Sequence, residues 1–364
     1  PPTFEDVRVL LPPATTEGAP ATASSAVPTN PVTETTAPAP TAAWVTATGN
    51  LEGLESECGT VSLVSARPGT DEVIASIAAR GLWSTSDGGT TWSAIGGDGD
   101  TITNRGAQIV YDPEATDRYW ESGAYNGSGL FRTDDGGRSF RATPDVEHTD
   151  YFGVDMSDPE RATILVGAHE RRAVYRSVDG GISWDDVADR LPPDIGYTAA
   201  ATVLDATTML VGSYESEAAG VFRSTDGGDT WAEAYRGAVI GAPIVIGDRI
   251  AWMRTDGAGL IVSDDRGATW TETGGVGPAI GANTLAVLDD GRLLTYGQSN
   301  LVVSDDLGAT WATFGPPLPF APNGVTYSSD RGEVYVWRFD CNVEEGAEHV
   351  VGADSISRLV LADS

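Results

Sequence analysis

From residue 43 onward the chain alternates between short apolar runs and polar turns. The runs are rich in β-branched and aromatic residues, the turns are rich in Gly and Asp, and no stretch keeps the period of a long helix. No run approaches the roughly 18 consecutive apolar residues that a membrane-spanning helix needs. The pattern therefore predicts an all-β protein that does not span a membrane directly.

One unit, S/T-x-D-x-G-x-S/T-W, recurs six times, each time after a short apolar run, with Phe140 in place of Trp in the second copy. Its aspartates recur at intervals of 39 to 48 residues, which is the length of one four-stranded propeller blade. The spacing therefore predicts one blade per unit. The six aspartates are Asp87, Asp135, Asp179, Asp226, Asp265 and Asp306.

The residue types within each unit suit a tight turn between two strands. Asp accepts backbone N–H groups, Gly supplies a positive φ, and the aromatic residue packs between neighbouring blades. The Asp-Asp-Gly-Gly run at 134–137 resembles a calcium loop, but the first Asp is Thr or Val in other copies. We therefore interpret the six aspartates as structural and expect no metal and no cofactor.

A seventh blade is needed to account for the C-terminal region, where 324–328, 333–338 and 355–361 have the pattern of three strands without a repeat unit. Residues 43–49, around Trp44, resemble 310–315, the strand that follows the last unit. We therefore predict a seven-bladed β-propeller with four-stranded blades, in which the N-terminal strand completes the last blade. Such closure removes open sheet edges.

Residues 1–42 differ from the rest of the chain because nine of its 21 prolines lie there, mixed with Thr, Ala and Ser. This composition is typical of an extended linker or stalk. It predicts two parts, the stalk at 1–42 and the propeller at 43–364. The short apolar run at 7–11 is the part of the stalk that can dock on another surface, and an anchor in a segment ahead of residue 1 is a further possibility.

The net charge and the two cysteines bear on which partners the protein can bind and on its location in or outside the cell. The net charge is -31, and all 22 basic residues are Arg, so nucleic acid is an unsuitable partner. Cys58 and Cys341 are too far apart in sequence for a C-x-x-C motif, whereas the ring model brings them together. We therefore expect a disulfide between them and an extracellular, secreted or cell-surface location.

The repeat unit resembles the Asp-box, or bacterial neuraminidase repeat, of a propeller superfamily. That superfamily includes sialidases, xyloglucan-cleaving glycosidases, sortilin-like receptors and photosystem II assembly factors. The resemblance covers about residues 43–364 and implies the propeller fold. It says little about activity, because unrelated sites are built on one fold.

The ring model assigns functional residues to the face opposite the repeat units, where the loops between blades and between second and third strands lie. All three histidines fall on this face. The expected ligand-binding residues are Arg105, Tyr125, Asn126, Glu147, His148, Tyr151, His169, Glu170, Arg171, Arg172, Tyr214, Arg254 and Asp256. Further acidic residues and a histidine on this face are Glu217, Glu344, Glu345, Glu348 and His349.

Three function classes remain open. The favoured one is a recognition module that binds a glycan or a protein partner. The second is a carbohydrate-active hydrolase or lyase, for which Asp145, Asp150 and Glu215 are the first acids to test; a sialidase is disfavoured because its Arg-Ile-Pro motif is absent. The third is an assembly subunit of a larger complex. The absence of enzyme motifs favours recognition over catalysis.

Overall fold

The computed structural model describes residues 42–57, 61–97, 101–257, 259–275, 284–338 and 349–361. The described residues form seven four-stranded antiparallel sheets, one for each blade of a propeller. Two short 3₁₀ turns, Gly49–Leu51 and Ala188–Arg190, are the helical segments in this part of the chain. None of its helices is long and apolar enough to cross a membrane. The prediction of an all-β, seven-bladed propeller is confirmed.

The strands follow one another blade by blade, from the inner strand of each sheet outward, and β1 alone belongs to a blade at the other end of the chain. Strand β1 is Trp44–Thr46. Blade 1 contains β2 (Val61–Ala66), β3 (Val73–Ile77), β4 (Gly81–Thr85) and β5 (Ser93–Ala94). Blade 2 contains β6 (Arg105–Tyr111), β7 (Tyr119–Ala124), β8 (Leu130–Thr133) and β9 (Arg141–Ala142). Blade 3 contains β10 (Thr149–Val154), β11 (Ile164–Ala168), β12 (Val174–Ser177) and β13 (Asp185–Asp186).

The remaining blades have the same arrangement. Blade 4 contains β14 (Tyr197–Val203), β15 (Met209–Tyr214), β16 (Gly220–Ser224) and β17 (Ala232–Arg236). Blade 5 contains β18 (Val239–Ile246), β19 (Arg249–Arg254), β20 (Leu260–Ser263) and β21 (Thr271–Glu272). Blade 6 contains β22 (Ala286–Val287), β23 (Leu293–Tyr296), β24 (Asn300–Ser304) and β25 (Ala312–Pro317). Blade 7 contains β26 (Gly324–Ser328), β27 (Glu333–Trp337) and β28 (Ile356–Val360), with β1 as its outer strand.

Strand β1 closes the ring, as the sequence predicts. It pairs antiparallel with β28, and Trp44 lies opposite Leu359. Just after β1, the Ala47 N–H donates to the Ile356 carbonyl at 2.9 Å, while the Ala47 carbonyl accepts from Trp92 Nε1 at 3.0 Å. The N-terminal segment therefore joins blade 7 to blade 1 and covers an edge that would otherwise be open.

The hydrophobic core is divided into clusters that lie between neighbouring blades. Trp120 and Leu130 of blade 2, for example, pack with Phe152 and Ile164 of blade 3 in one buried cluster. Burying each such side chain contributes about 1.5 to 3 kcal/mol. Because each cluster spans at least two blades, the packing that stabilises a blade also fixes its angle to its neighbours.

Each of the six repeat units forms the turn between the third and fourth strands of its blade. In blade 6, Asp306 accepts from Thr310 N at 2.8 Å and from Thr310 Oγ1 at 2.7 Å, while Ser304 Oγ donates to it at 2.8 Å. The other five units show the same bonds. We name the rim that carries these turns the box face. The bonds of the aspartate are local, while backbone N–H groups of several of these turns also donate to the neighbouring loop between the first and second strands, as Gly136 does to the Asp117 carbonyl at 2.8 Å.

Some expectations fall on residues outside the described ranges. These are the stalk up to residue 41, the disulfide between Cys58 and Cys341, and Glu344, Glu345 and Glu348 of blade 7. The described segments beside the two cysteines pair with each other: Glu55 bridges Val350, and the Ser56 N–H donates to the His349 carbonyl at 2.9 Å. The disulfide stays a prediction.

Candidate functional site

The connections between second and third strands, together with those between blades, lie on the rim opposite the box face. We name this rim the loop face. Where blades 2 and 3 meet, three of its loops converge: the β7–β8 loop, the β9–β10 connection and the β11–β12 loop. Tyr125 comes from the first, His148 from the second and His169 from the third.

These three aromatic rings pack against one another in a ring cluster made of Tyr125, His148 and His169. The centroid distances are 4.9 Å for Tyr125 and His148, 5.0 Å for Tyr125 and His169, and 5.0 Å between the two histidines. All three pairs have an edge-to-face arrangement, which is the favoured geometry for aromatic pairs. Tyr125 remains 42% exposed as a residue, so a partner can reach it.

Hydrogen bonds fix the orientation of these rings. His169 Nδ1 lies 2.8 Å and 2.9 Å from the two carboxylate oxygens of Asp150, and His169 Nε2 lies 2.9 Å from Tyr125 Oη. Because an ionised carboxylate only accepts, Nδ1 carries the proton, and in the neutral ring Nε2 accepts the Tyr125 hydroxyl. The Tyr125 N–H in turn donates to His148 Nδ1 at 3.0 Å.

The surroundings shift the pKa values of the two histidines in opposite directions. Burial disfavours the charged form of His169, but the hydrogen bond that Asp150 accepts from it and the charges of Asp150 and Glu170 outweigh burial and raise the pKa of His169. Burial, followed by the positive charges of His169 and Arg171, lowers the pKa of His148. His169 therefore binds a proton more readily than His148 does.

Arg105 lies beside this cluster and links it to a residue that the sequence did not single out. Its guanidinium carbon is 4.3 Å from the centroid of the Tyr125 ring, a cation–π distance. Arg105 Nη2 also pairs with Glu57 at 3.0 Å, and Asn126 Nδ2 donates to Glu57 at 2.9 Å. No motif marks Glu57, since its role depends on a contact between segments far apart in sequence.

Several loop-face residues have a left-handed backbone although they are not glycine. Among the described residues, nine non-glycine residues have positive φ, and six of them lie in loops of this face: Ala79, Tyr125, Asp145, His148, Glu170 and Glu215. This conformation costs about 1 to 2 kcal/mol per residue and persists where surrounding structure enforces it. Two of the six, Tyr125 and His148, belong to the ring cluster.

Other predicted residues lie on the loop face but are used in structural contacts. Arg171 Nη2 donates to the Glu147 carbonyl, while Arg172 Nη2 donates to the carbonyls of Ala188 and Leu191. On blade 5, Arg254 pairs with Asp256 at 2.5 Å and with Glu272 at 2.7 Å. The guanidinium groups of these arginines therefore hold loops and ion pairs in place.

The two remaining predicted tyrosines differ in exposure. Tyr151 is not a surface residue of this face, because it is buried in the cluster with Ala200 and Trp252. It follows Asp150 directly, in the stretch of β10 between Thr149 and Phe152 where the pairing with β11 is irregular. Tyr214 is half-buried, and burial, together with nearby carboxylates including Asp150 and Glu215, raises its pKa.

The three acids chosen as first catalytic candidates occupy different environments. Asp150 belongs to the ring-cluster network, whereas Asp145 and Glu215 are exposed in separate loops. His349 is also exposed and lies beside Ser56, at the junction of blades 7 and 1. In the described part of the chain, no group of three or more His, Cys, Asp or Glu residues is placed to hold a metal ion.

Comparison with known proteins identifies the architecture. No family model matches the chain, and no curated protein matches it. A solved structure of YCF48 bound to D1 peptide is similar, with 16% identity, 88% of this chain and 96% of that chain covered, and a TM-score of 0.56. The chain is a β-propeller. The propeller is also similar to YCF48 from Cyanidioschyzon merolae, with 15% identity, coverage of 87% and 98%, and a TM-score of 0.51.

A third similar structure is the extracellular domain of BT4673 from B. thetaiotaomicron. The identity is 11%, the TM-score is 0.56, and the match covers 84% of this propeller but 39% of that chain. At these identities the likeness concerns the fold alone. Evidence for the function must therefore come from the residues of the loop face.

Proposed function

We propose that the protein is an extracellular or cell-surface recognition module that binds a glycan or a protein partner through the loop face. The observation that carries this proposal is the ring cluster, in which an exposed tyrosine is held by two histidines and an arginine. Tyr and Arg are the residue types that most often anchor protein interfaces. An aromatic ring also offers an apolar face on which a sugar or a side chain can pack.

Preorganisation supports this role. Tyr125 is tied through its hydroxyl to His169, through its backbone N–H to His148 and through its ring to Arg105. A side chain that is already fixed loses little conformational entropy when a partner binds, so more of the contact energy appears as affinity. The rigid propeller scaffold below the loops adds to this effect.

The similar propellers are compatible with a binding role. One of them is described as bound to a peptide, and another is described as an extracellular domain. A role as an assembly subunit would use the same loop face with a protein as its partner. The enzymatic alternative would need chemistry at this face in addition to binding.

The test compares two exposed positions on opposite rims. Purified protein and its Tyr125→Ala and Ile182→Ala variants are screened against a glycan panel and against proteins extracted from the source. Ile182 is 76% exposed in the blade 3 turn on the box face, which makes it a matched surface control. We expect Tyr125→Ala to weaken binding by about 10-fold or more, a loss of at least about 1.4 kcal/mol. Binding that depends on Ile182 and not on Tyr125 would place the partner on the box face and overturn the proposal.

A further inference from the structure

The ring cluster contains an arrangement that binding alone does not require. Asp150, His169 and Tyr125 form a continuous series of hydrogen bonds from carboxylate to imidazole to phenol, at 2.8 Å and 2.9 Å. A carboxylate orients the ring, the ring offers a lone pair, and a hydroxyl donates its proton to that lone pair. This is the general arrangement of an activated nucleophile, in which a base touches the nucleophile and a third group orients the base.

We propose that Tyr125 is an activated nucleophile, with His169 as its general base and Asp150 as the positioning residue, and that the loop face hydrolyses carboxylic esters. The inference goes beyond the recognition role and does not depend on which partner the face binds. It uses the hydroxyl of Tyr125, which is bonded to His169, rather than the aromatic ring.

Accessibility and support both favour Tyr125 in this role. The residue is 42% exposed and has a φ of 71°, so it lies on a sharply turned loop that solvent reaches. Asp150 is itself held, because its backbone carbonyl accepts a hydrogen bond from Ser122 Oγ. Burial and the nearby carboxylate of Glu170 raise the pKa of Tyr125, while the Arg105 guanidinium over its ring opposes that shift, so the hydroxyl keeps its proton until a base such as His169 removes it.

The reaction can be written with these groups alone. Tyr125 Oη attacks the ester carbonyl carbon while its proton passes to His169 Nε2, giving a tetrahedral intermediate. The intermediate expels the alcohol oxygen, which takes the proton back from His169, and the acyl group remains on Tyr125 as an aryl ester. Water then attacks this ester, His169 accepts a proton from the water, and the phenol leaves with that proton. The sum is ester plus water to acid plus alcohol.

An ester suits this arrangement better than a glycosidic bond does. Glycoside cleavage requires a second acidic group facing the leaving oxygen, usually a carboxylic acid at a set distance from the first. Acyl transfer requires a single histidine, because the same ring takes the proton from the nucleophile and returns it to the leaving oxygen. His169 is placed for both transfers, since its Nε2 faces the hydroxyl.

The charges around His169 set the pH range in which the relay works. The carboxylates of Asp150 and Glu170 stabilise the protonated form of His169. The charge of Arg105 and the neighbouring ring of His148 oppose its protonation. The Nε2 atom of His169 faces the Tyr125 hydroxyl. The carboxylates prevail, so the pKa of His169 is raised above 6.5. The base is therefore free above that pKa, and activity rises as the pH increases through it.

The first experiment measures the reactivity of the hydroxyl. The full chain is treated with an arylsulfonyl fluoride, a probe for activated hydroxyl groups, between pH 5 and pH 9, and labelling of each tyrosine is followed by peptide mass spectrometry. Tyr235 and Tyr327 are internal controls, because their hydroxyls donate to Glu272 and Asp289 instead of a histidine. We expect Tyr125 to be labelled at least about 10-fold faster than either control, since a general base contributes about 100-fold or more.

Variants separate activation from simple exposure. His169→Gln should lower the rate of Tyr125 labelling by at least about 10-fold. Asp150→Asn should shift the pH profile of labelling to lower pH, because loss of the carboxylate lowers the pKa of His169, an effect that a purely structural role would not produce. Equal labelling of Tyr125 and the controls, or labelling unaffected by His169→Gln, would overturn the proposal.

The second experiment tests the ester itself, using 4-methylumbelliferyl acetate and butyrate as substrates. Turnover should be lost in Tyr125→Phe, which keeps the ring and removes only the hydroxyl. Turnover that persists in Tyr125→Phe, or no turnover by the wild-type protein, would overturn the ester assignment. Partner binding is measured separately with the Tyr125→Ala and Ile182→Ala variants, so ester turnover without partner binding, or partner binding without turnover, shows which of the two proposals has failed.

Discussion

At the scale of single residues, His148 and His169 should couple stability to pH with opposite signs. His148 has a lowered pKa in the folded state, so the unfolded chain binds its proton more readily and stability is lost as the pH falls below about 6.5. His169 has a raised pKa, so it contributes stability that is present below about 6.5 and is lost as the pH rises through its folded value. The 5.0 Å between their rings makes the two effects compete.

This competition can be tested by measuring Tm at pH 5 and pH 8 for the two single variants. The difference in Tm between His148→Gln and the wild-type protein should be more positive at pH 5 than at pH 8, because the substitution removes a group that resists protonation in the folded state. His169→Gln should do the reverse, because it removes a favourable protonated ion pair with Asp150. A shift of the same sign in both variants would contradict the assignment.

Residue-level prediction from the sequence was partial, for a physical reason. The histidines, Tyr125 and Arg105 could be assigned to the loop face because the blade repeat fixes where each loop falls. Their mutual contacts could not be predicted, since residues 125, 148 and 169 meet through loops with positive φ, which no periodic pattern specifies. Tyr151 was assigned to this face as part of the segment that enters blade 3, but it is buried, because it already belongs to β10.

At the scale of the element, the turns on the box face were the most predictable part of the chain. Their bonds lie within a few residues of one another, as in Ser304, Asp306 and Thr310. The bonds of the aspartate are determined by residues of the turn itself, so they can be predicted without knowing how the blades are arranged. The sequence therefore indicated both the turn and its place in the blade.

The turn of blade 6 offers a matched pair for measuring what such an aspartate contributes. Hydrogen bonds from the Thr310 backbone and side chain lower the pKa of Asp306 to about 2. Asp305, the adjacent exposed residue, has no hydrogen bond or ion pair in the described part of the structure. Asp306→Asn should therefore lower Tm, whereas Asp305→Asn should leave it within error.

The lowered pKa of Asp306 also predicts that the loss of stability in Asp306→Asn depends on pH. Because the pKa of Asp306 in the folded state lies below its usual value of 3.8, its contribution is complete above about pH 4 and is lost as the pH falls toward 2. Thermal unfolding at pH 3 and pH 7 should show a smaller difference between wild type and Asp306→Asn at the lower pH. Equal differences at both pH values would show that the carboxylate charge is not what stabilises the turn.

At the scale of the whole molecule, the seven-bladed ring could be predicted from two patterns. The six repeat units predicted six blades, and the three C-terminal strands without a repeat unit predicted the seventh. The three C-terminal strands lie at Gly324–Ser328, Glu333–Trp337 and Ile356–Val360, within a residue of the expected segments. Closure by β1 was predictable because a ring must have no open edge. The stalk at 1–42 and the disulfide stay predictions.

The contribution of β1 to stability can be measured with two neighbouring residues of that strand. Trp44 is half-buried and packs against the cluster shared by blades 5, 6 and 7, whereas its neighbour Val45 is 45% exposed. Trp44→Ala should lower the free energy of unfolding by about 1 to 3 kcal/mol, and Val45→Ala should change it by less than about 0.5 kcal/mol. Chemical denaturation of both variants tests the difference.

Truncation then separates the stalk from the closing strand. A chain that begins at residue 43 keeps β1 and should have the Tm of the full chain, because the described contacts with blade 7 begin at Trp44. A chain that begins at residue 49 loses β1 together with the bonds of Ala47 and Thr48 to Ile356, leaving β28 as an open edge. That chain should unfold at lower temperature and self-associate during gel filtration, since an unpaired edge recruits other strands. If both truncated chains stayed monomeric with the same Tm, β1 would be an accessory strand and the ring would be held by blades 1 and 7 alone.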